Sequence, residues 1–410
     1  MGFDPMKTLN DLIEVDEAVE VFTRILSKIN LQAESVTINE ALGRIAASDV
    51  KADFDFPDQD RSAVDGYAVV AEDTYHATQY NPVELRLVEE LHGNSCIGKG
   101  EAFEVFTGNP IPCGANAVVM KEDVVRDKDR ILVLKPVPVG GNISRRGEDY
   151  AKDSVLVPKG TVLNPFYIAI IASNGLRTVK VYEKLRVGVV STGNEIVSPG
   201  IARKQGEYYD STGTLISQLL VQDGFYKVNY YGILPDDEEV LSEALEKAVL
   251  ENDIVITLGG TGVSGSDVVI DVADKKGEVV FRGVKMRPGR PTSSSLLNGK
   301  PILHLSGYPV AAWTGYEVIF RRAVAKAFNL VNYNRRMAFA KLSRRLPNQV
   351  GYQTYVRVQL RTVENELIAE PYMLRGSGVL SSLVFSQGYV EIPSNIEGYE
   401  KGEIIKVFLI

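Results

Sequence analysis

The chain has 410 residues, 45% of them hydrophobic and 24% charged, with a formal net charge of −8. That length leaves ample material for a full core and about two to four domains, and the balance of residue types is that of a folded globular protein. The acidic charge excludes a general nucleic-acid binder, and the longest apolar run, Phe166 to Ala172, falls far short of the ~20 residues of a membrane span.

No secretory apolar segment stands at the N-terminus. Asp16 is placed to cap a helix whose apolar positions Ala18, Val19, Phe22, Ile25 and Leu26 recur at helical spacing. A second short helix is expected from Ile38 to Arg44. The acidic loop around Phe56-Pro57-Asp58 then leads to Gly66-Tyr67-Ala68-Val69, which alternates like a strand. Residues 83–138 read as short strands separated by Gly, Pro and Asn-Asp clusters, a small all-β module. It contains both cysteines, Cys96 and Cys113, too few for a disulfide framework and in keeping with a reducing, cytoplasmic setting. Residues 142–149 place four charges in one turn, and a helix from Pro165 to Asn174, stopped by Gly175, precedes a further strand. The β module (58–141) is thus expected as an insertion into an α+β domain made of 1–57 and 142–183.

A change of composition at Lys184 opens the most regular region, 184–333. Strands Leu185–Val190, Tyr226–Leu234, Asp253–Leu258 and Ile302–Leu305 alternate with helices that begin at Ser211, after Asp236-Asp237, and at Asp267. This alternation predicts a doubly wound, mostly parallel α/β sheet. Residues 334–410 return to β and are expected as a separate barrel or sandwich, carrying a small-residue loop at Gly376–Ser382. The fold class is therefore multidomain α/β plus β.

In a doubly wound sheet, ligands bind outside the carboxyl ends of the strands. The residues expected there are Ser191, Thr192, Gly193 and Glu195; Asp236; Gly259, Gly260, Thr261, Gly262, Ser264 and Asp267; and Ser306 and Pro309. The run from Asp253 to Asp267 stands out. A buried strand breaks into a loop of glycines and hydroxyls closed by an aspartate. Glycine lets the backbone approach a ligand, bare amides and hydroxyls donate to phosphate, and an aspartate can hold an accompanying hard cation. An ordinary strand-to-helix turn is the competing reading. The three histidines, His76, His92 and His304, are scattered and are expected to be structural.

Several strings together resemble the MoeA family, which includes the gephyrin E domain. They are Asp60-Arg61-Ser62-Ala63-Val64-Asp65-Gly66-Tyr67-Ala68-Val69, Phe106-Thr107-Gly108-Asn109-Pro110-Ile111-Pro112 and Arg145-Arg146-Gly147-Glu148-Asp149. To these add Ser191-Thr192-Gly193-Asn194-Glu195, Asp210-Ser211-Thr212 and Arg287-Pro288-Gly289-Arg290-Pro291. Their order matches the family from about residue 10 to the C-terminus. The chain also departs from the pattern. Gly259–Asp267 begins like the related MogA-type adenylyltransferase domain, Leu305-Ser306-Gly307-Tyr308-Pro309 lacks the family's asparagine, and Thr292-Ser293-Ser294-Ser295 replaces an aromatic run. These changes are expected to surround the pterin phosphate pocket.

The resemblance implies insertion of molybdate or tungstate into adenylylated molybdopterin with release of AMP, dependent on Mg²⁺. It implies Asp65, Thr107, Glu195, Asp267 and Arg287 as catalytic residues, with Asp65, Glu195, Asp236 and Asp267 as hard oxygen ligands suited to Mg²⁺. Arg290 resembles the second member of the family's basic pair. For Asp236 and Asp267 a helix-capping role remains open beside the ligand role. The resemblance further implies a homodimer with a shared active site, since Asp65 and Thr107 lie far along the chain from Glu195 and Asp267, and an adenylyltransferase of the MogA or MoaB type as partner. Two other readings stand: a non-catalytic molybdopterin-binding or scaffold member, and a molybdopterin adenylyltransferase.

Overall fold

The computed structural model describes residues 12–90, 96–260, 268–372 and 376–410, and its contacts divide the chain into two units. One runs up to Ser48 and resumes over Pro158–Ile168 and Arg177–Ile410; the other takes Asp49–Val157 and Ala169–Leu176.

Helix α1 (Val15–Leu26) buries Val15, Ala18, Val19, Phe22, Ile25 and Leu26 on one stripe. Its N-cap is Glu14, in extended conformation, so Asp16 stands inside the first turn rather than capping it. The helix expected at 38–44 is a single turn, Ile38–Glu40, held by a capping box between Thr37 and Glu40. It goes no further because the backbone of residues 43–47 is committed elsewhere: Gly43 N–H donates to Leu163 O, Ala46 N–H to Thr161 O and Ala47 N–H to Lys180 O. Strand β1 (Ala33–Thr37) precedes that turn.

The second unit is built on six strands: β2 (Gly66–Val69), β3 (Val83–Val88), β4 (Glu101–Val105), β5 (Ala117–Met120), β6 (Val124–Asp127) and β7 (Arg130–Val133). They form one sheet in the order β5-β2-β4-β3-β7-β6, all antiparallel except β3 with β4. The two cysteines correct the sequence expectation. Cys96 and Cys113 are joined in a disulfide, because Ile97 N–H donates to Cys113 O and this backbone pairing sets their Cα atoms 4.5 Å apart. Helix α2 (Pro165–Ser173) follows.

Beyond it, β8 (Thr178–Tyr182) pairs antiparallel with β1. The central sheet then assembles from β9 (Leu185–Thr192), β10 (Tyr226–Leu234), β11 (Ile254–Leu258), β12 (Glu278–Arg282), β13 (Ser293–Leu297) and β14 (Lys300–Leu305) in the order β10-β9-β11-β14-β13-β12. The first four are parallel, joined by α3 (Ser211–Asp223), α4 (Glu238–Glu251) and α5 (Val268–Lys276); β13 and β12 add an antiparallel edge. Apolar runs buried on both faces, such as Ile254–Leu258, are what a helix-covered parallel sheet requires. Helices α6 (Pro309–Gly315) and α7 (Arg321–Ala327) continue through one π-helical stretch, Tyr316–Phe320.

The C-terminal strands are β15 (Met337–Leu342), β16 (Gln353–Val363), β17 (Glu366–Pro371), β18 (Gly388–Ile392) and β19 (Ile404–Leu409). They pair in the order β16-β17-β15-β19-β18, and β18 returns to β16, so the sheet closes into a barrel around Val356, Val358, Val390, Ile392 and Val407.

Candidate functional site

The pairing register sets the ends of the parallel strands level. Thr192 lies opposite Leu234, Ser191 opposite Leu258, and Leu258 opposite Leu305. The turns after β9, β10, β11 and β14 therefore emerge together along one edge. Strand β13 runs the other way, with Ser293 opposite His304, so the turn that ends at Pro291 comes to the same edge.

At the centre of that edge, β11 turns through Gly259 and Gly260, at φ +95° and +64°. Only glycine fits at Gly259: a Cβ there would meet Thr192 O at 2.5 Å. The Thr192 hydroxyl faces this turn, 3.1 Å from where that Cβ would be, and it is buried without a hydrogen-bond partner among the described residues. An orphaned donor beside bare backbone suits a phosphate oxygen. The continuation of the loop, including Thr261, Gly262, Ser264 and Asp267, lies outside the described residues.

Ser191 has a different employment. Its hydroxyl donates to Asp210 Oδ2 at 2.7 Å, while Asp210 Oδ1 caps α3 by accepting from Gly213 N–H at 2.8 Å. The Tyr230 hydroxyl also donates to Asp210 Oδ2; burial first, and this bond second, push the phenol up to about 12. A Cβ at Gly213 would lie 2.2 Å from Asp210 Oδ2, so glycine is what lets helix and carboxylate meet. Thr212 Oγ1 donates to Gly307 O at 2.7 Å, tying the start of α3 to the turn after β14. Sequence reasoning left Asp210 and Tyr230 out of the site. An aspartate directly before Ser-Thr at a helix start was the usable signal for the first; nothing in the sequence pointed to the second.

Glu195 and Asp236 project from the neighbouring β9 and β10 turns, both exposed, and their carboxylates make no hydrogen bond or ion pair among the described residues. The Asn194 side chain accepts from Asp236 N–H at 3.2 Å and holds the two turns together. The cap of α4 is Asp237, whose Oδ1 accepts from Glu239 and Val240 N–H, and this removes the capping alternative for Asp236. Two uncompensated hard oxygen donors on adjoining turns suit a divalent cation such as Mg²⁺. Among the described residues no group of three or more His, Cys, Asp and Glu is gathered.

Arg287 and Arg290 share the turn before β13. Arg287 stacks over Tyr352, 4.2 Å from its ring centre, whereas Arg290 has no ion pair among the described residues. Ser306 Oγ accepts from Tyr308 N–H, and Pro309 is the buried first residue of α6. Ser293, Ser294 and Ser295, expected around the phosphate pocket, are instead buried in β13: Ser294 donates to Ile302 O and Ser295 bonds to His304 Nε2. His304 also bonds Thr257 Oγ1 through Nδ1, and burial pushes its imidazole down to about 3.

Asp65 and Thr107 meet in the second unit. Thr107 N–H and Oγ1 both donate to Asp65 Oδ1, each at 2.7 Å, and these bonds hold the carboxyl below its ordinary value. A cavity of about 540 Å³ between α1, α7 and the barrel belongs to neither group. It is lined by Glu317, Arg321 and Arg335, both arginines pairing with Glu317, and Phe320 beside it packs on Tyr226, where β10 begins, at the opposite edge of the sheet.

Matches to known proteins extend over nearly the whole chain. Residues 13–175 match the MoeA N-terminal region (domain I and II), residues 188–326 a probable molybdopterin binding domain, and residues 340–410 the MoeA C-terminal region (domain IV). The chain is 37% identical to a putative molybdopterin biosynthesis protein of Methanocaldococcus jannaschii, over 99% of this chain and 100% of that protein. It is 31% identical to a molybdopterin molybdenumtransferase of Bacillus subtilis, over 97% and 94%. A crystal structure of a molybdopterin biosynthesis MoeA protein from Pyrococcus horikoshii superposes with a TM-score of 0.81 at 36% identity, covering 97% of this chain and all of that one. With matches of this identity and extent, the chain belongs to the MoeA family.

Proposed function

We propose that this chain is a molybdopterin molybdenumtransferase that inserts molybdate or tungstate into adenylylated molybdopterin and releases AMP. The observation that carries the reading is the level edge of four parallel strands, where the Gly259–Gly260 turn and the orphaned Thr192 hydroxyl adjoin two uncompensated carboxylates. The glycine turn and Thr192 receive a phosphate oxygen; Ser191, Asp210 and Tyr230 brace the wall beside them. Glu195 and Asp236, with Asp267, are the ligands for Mg²⁺. When bound, the cation neutralises phosphate charge. Arg290 attracts the anionic metalate, and Arg287 fixes the turn that carries it. Asp65 and Thr107 are contributed by the second subunit of a homodimer, and a MogA- or MoaB-type adenylyltransferase supplies the adenylylated substrate.

The test is incubation with adenylylated molybdopterin, Mg²⁺ and molybdate, following AMP release and cofactor formation. Metalate-dependent AMP release is expected. Tight binding without turnover would indicate a scaffold, and formation of the adenylylated compound from ATP an adenylyltransferase.

A further inference from the structure

We propose that Tyr308 is a stacking platform for a planar heteroaromatic ring of the substrate, and so a specificity-determining residue of the site; this rests on the functional reading above. Tyr308 follows β14 by three residues, and its neighbour Gly307 approaches the glycine turn so closely that a Cβ there would lie 3.4 Å from the Gly259 Cα. Tyr308 thus follows directly on the backbone that touches the turn assigned to the phosphate. On one side it is closed by the C-terminal small-residue loop: a Cβ at Gly378 would lie 3.1 Å from Tyr308 Cδ1, and Val310 N–H donates to Ser377 O, which fastens that loop to the start of α6.

Elsewhere the residue is open to solvent. Tyr308 is 62% exposed, although Ser306, Pro309 and Val310 around it are buried. It makes no side-chain cap on α6, whose start it occupies in extended conformation. An exposed aromatic residue with glycine against one side of its ring offers the geometry that takes a flat π-system, since stacking needs a free face. The substrate carries two such rings, a pterin and an adenine, on either side of its phosphates. Both offer the same chemistry, and the experiment distinguishes them.

Wild type, Tyr308→Phe and Tyr308→Leu are titrated with a phosphorylated 6-hydroxymethylpterin, followed by pterin fluorescence, and separately with AMP. Thermal unfolding and sedimentation of each variant are recorded alongside. Tyr308→Phe is expected to bind both probes like wild type. Tyr308→Leu is expected to weaken one of them on the order of tenfold, with unchanged unfolding temperature and sedimentation. Weakening of the pterin probe assigns the platform to the pterin, and weakening of AMP assigns it to the adenine. Unchanged binding of both probes by Tyr308→Leu overturns the inference, as does altered sedimentation with intact binding, which would make the ring a subunit contact. Were wild type itself to bind neither probe, the functional reading would fall with it; wild-type binding that ignores the leucine sinks the platform alone.

Discussion

The Asp65 carboxylate receives both Thr107 bonds on one oxygen, and its depressed pKa follows from those donors. A lowered carboxyl stabilises the fold above its unfolded value of 3.8 and loses that contribution as pH falls through the lower folded value, so at neutral pH Asp65 is fully ionised. Asparagine at this position keeps an oxygen to accept both bonds while removing the charge. Asp65→Asn should therefore unfold like wild type in a denaturant titration, yet lose turnover in the AMP-release assay. His304 makes the opposite kind of statement. Its imidazole sits at about 3 in the fold against 6.5 when unfolded, so the unfolded chain takes up a proton first. Stability from this site is complete above pH 6.5 and drains away as pH falls toward 3, at about 1.4 kcal/mol per pH unit. Urea titrations between those limits should show a slope shallower by about that amount in His304→Asn than in wild type.

At the scale of elements, the turn before α4 separates capping from ligation in two adjacent aspartates. Asp237→Ala should cost about 1 kcal/mol of stability through loss of the cap, read by urea unfolding. Asp236→Ala should leave stability alone and raise the Mg²⁺ concentration needed for half-maximal AMP release. Equal Mg²⁺ dependence in Asp236→Ala and wild type would remove Asp236 from the cation site. These turns were legible in the sequence because buried parallel strands write themselves as short apolar runs, and the glycines and acids that follow mark where each ends. Strand β13 was not legible. By sequence Ser293, Ser294 and Ser295 belong around the phosphate pocket, but they are buried because each hydroxyl finds a partner inside the sheet or on the adjoining turn. Polar residues satisfied by neighbours in space leave no periodic trace. The same holds for Tyr230, whose partner Asp210 lies twenty residues away. The helix expected at 38–44 failed for a related reason: its backbone groups were claimed by residues more than a hundred positions later.

For the whole molecule, Asp65 belongs to one contact unit and Glu195 to the other. If a second subunit supplies Asp65, inactive Asp65→Ala and Glu195→Ala proteins, unfolded together and reassociated, should recover about a quarter of wild-type activity, because half the dimers are mixed and each has one intact site. No recovery would place both residues in a single chain's site. The division into units also governs how the protein is made. Residues 49–157 supply the second unit almost without interruption, so its six-stranded sheet is synthesised before the first strand of the central sheet. Helix α1 has the reverse fate. Phe22 and Val19 share their core with Phe320 and Val324, about 300 residues downstream, and at ribosomal speeds those partners arrive roughly 15–60 s later. Throughout that interval α1 carries an apolar stripe that lacks these partners on a nascent chain.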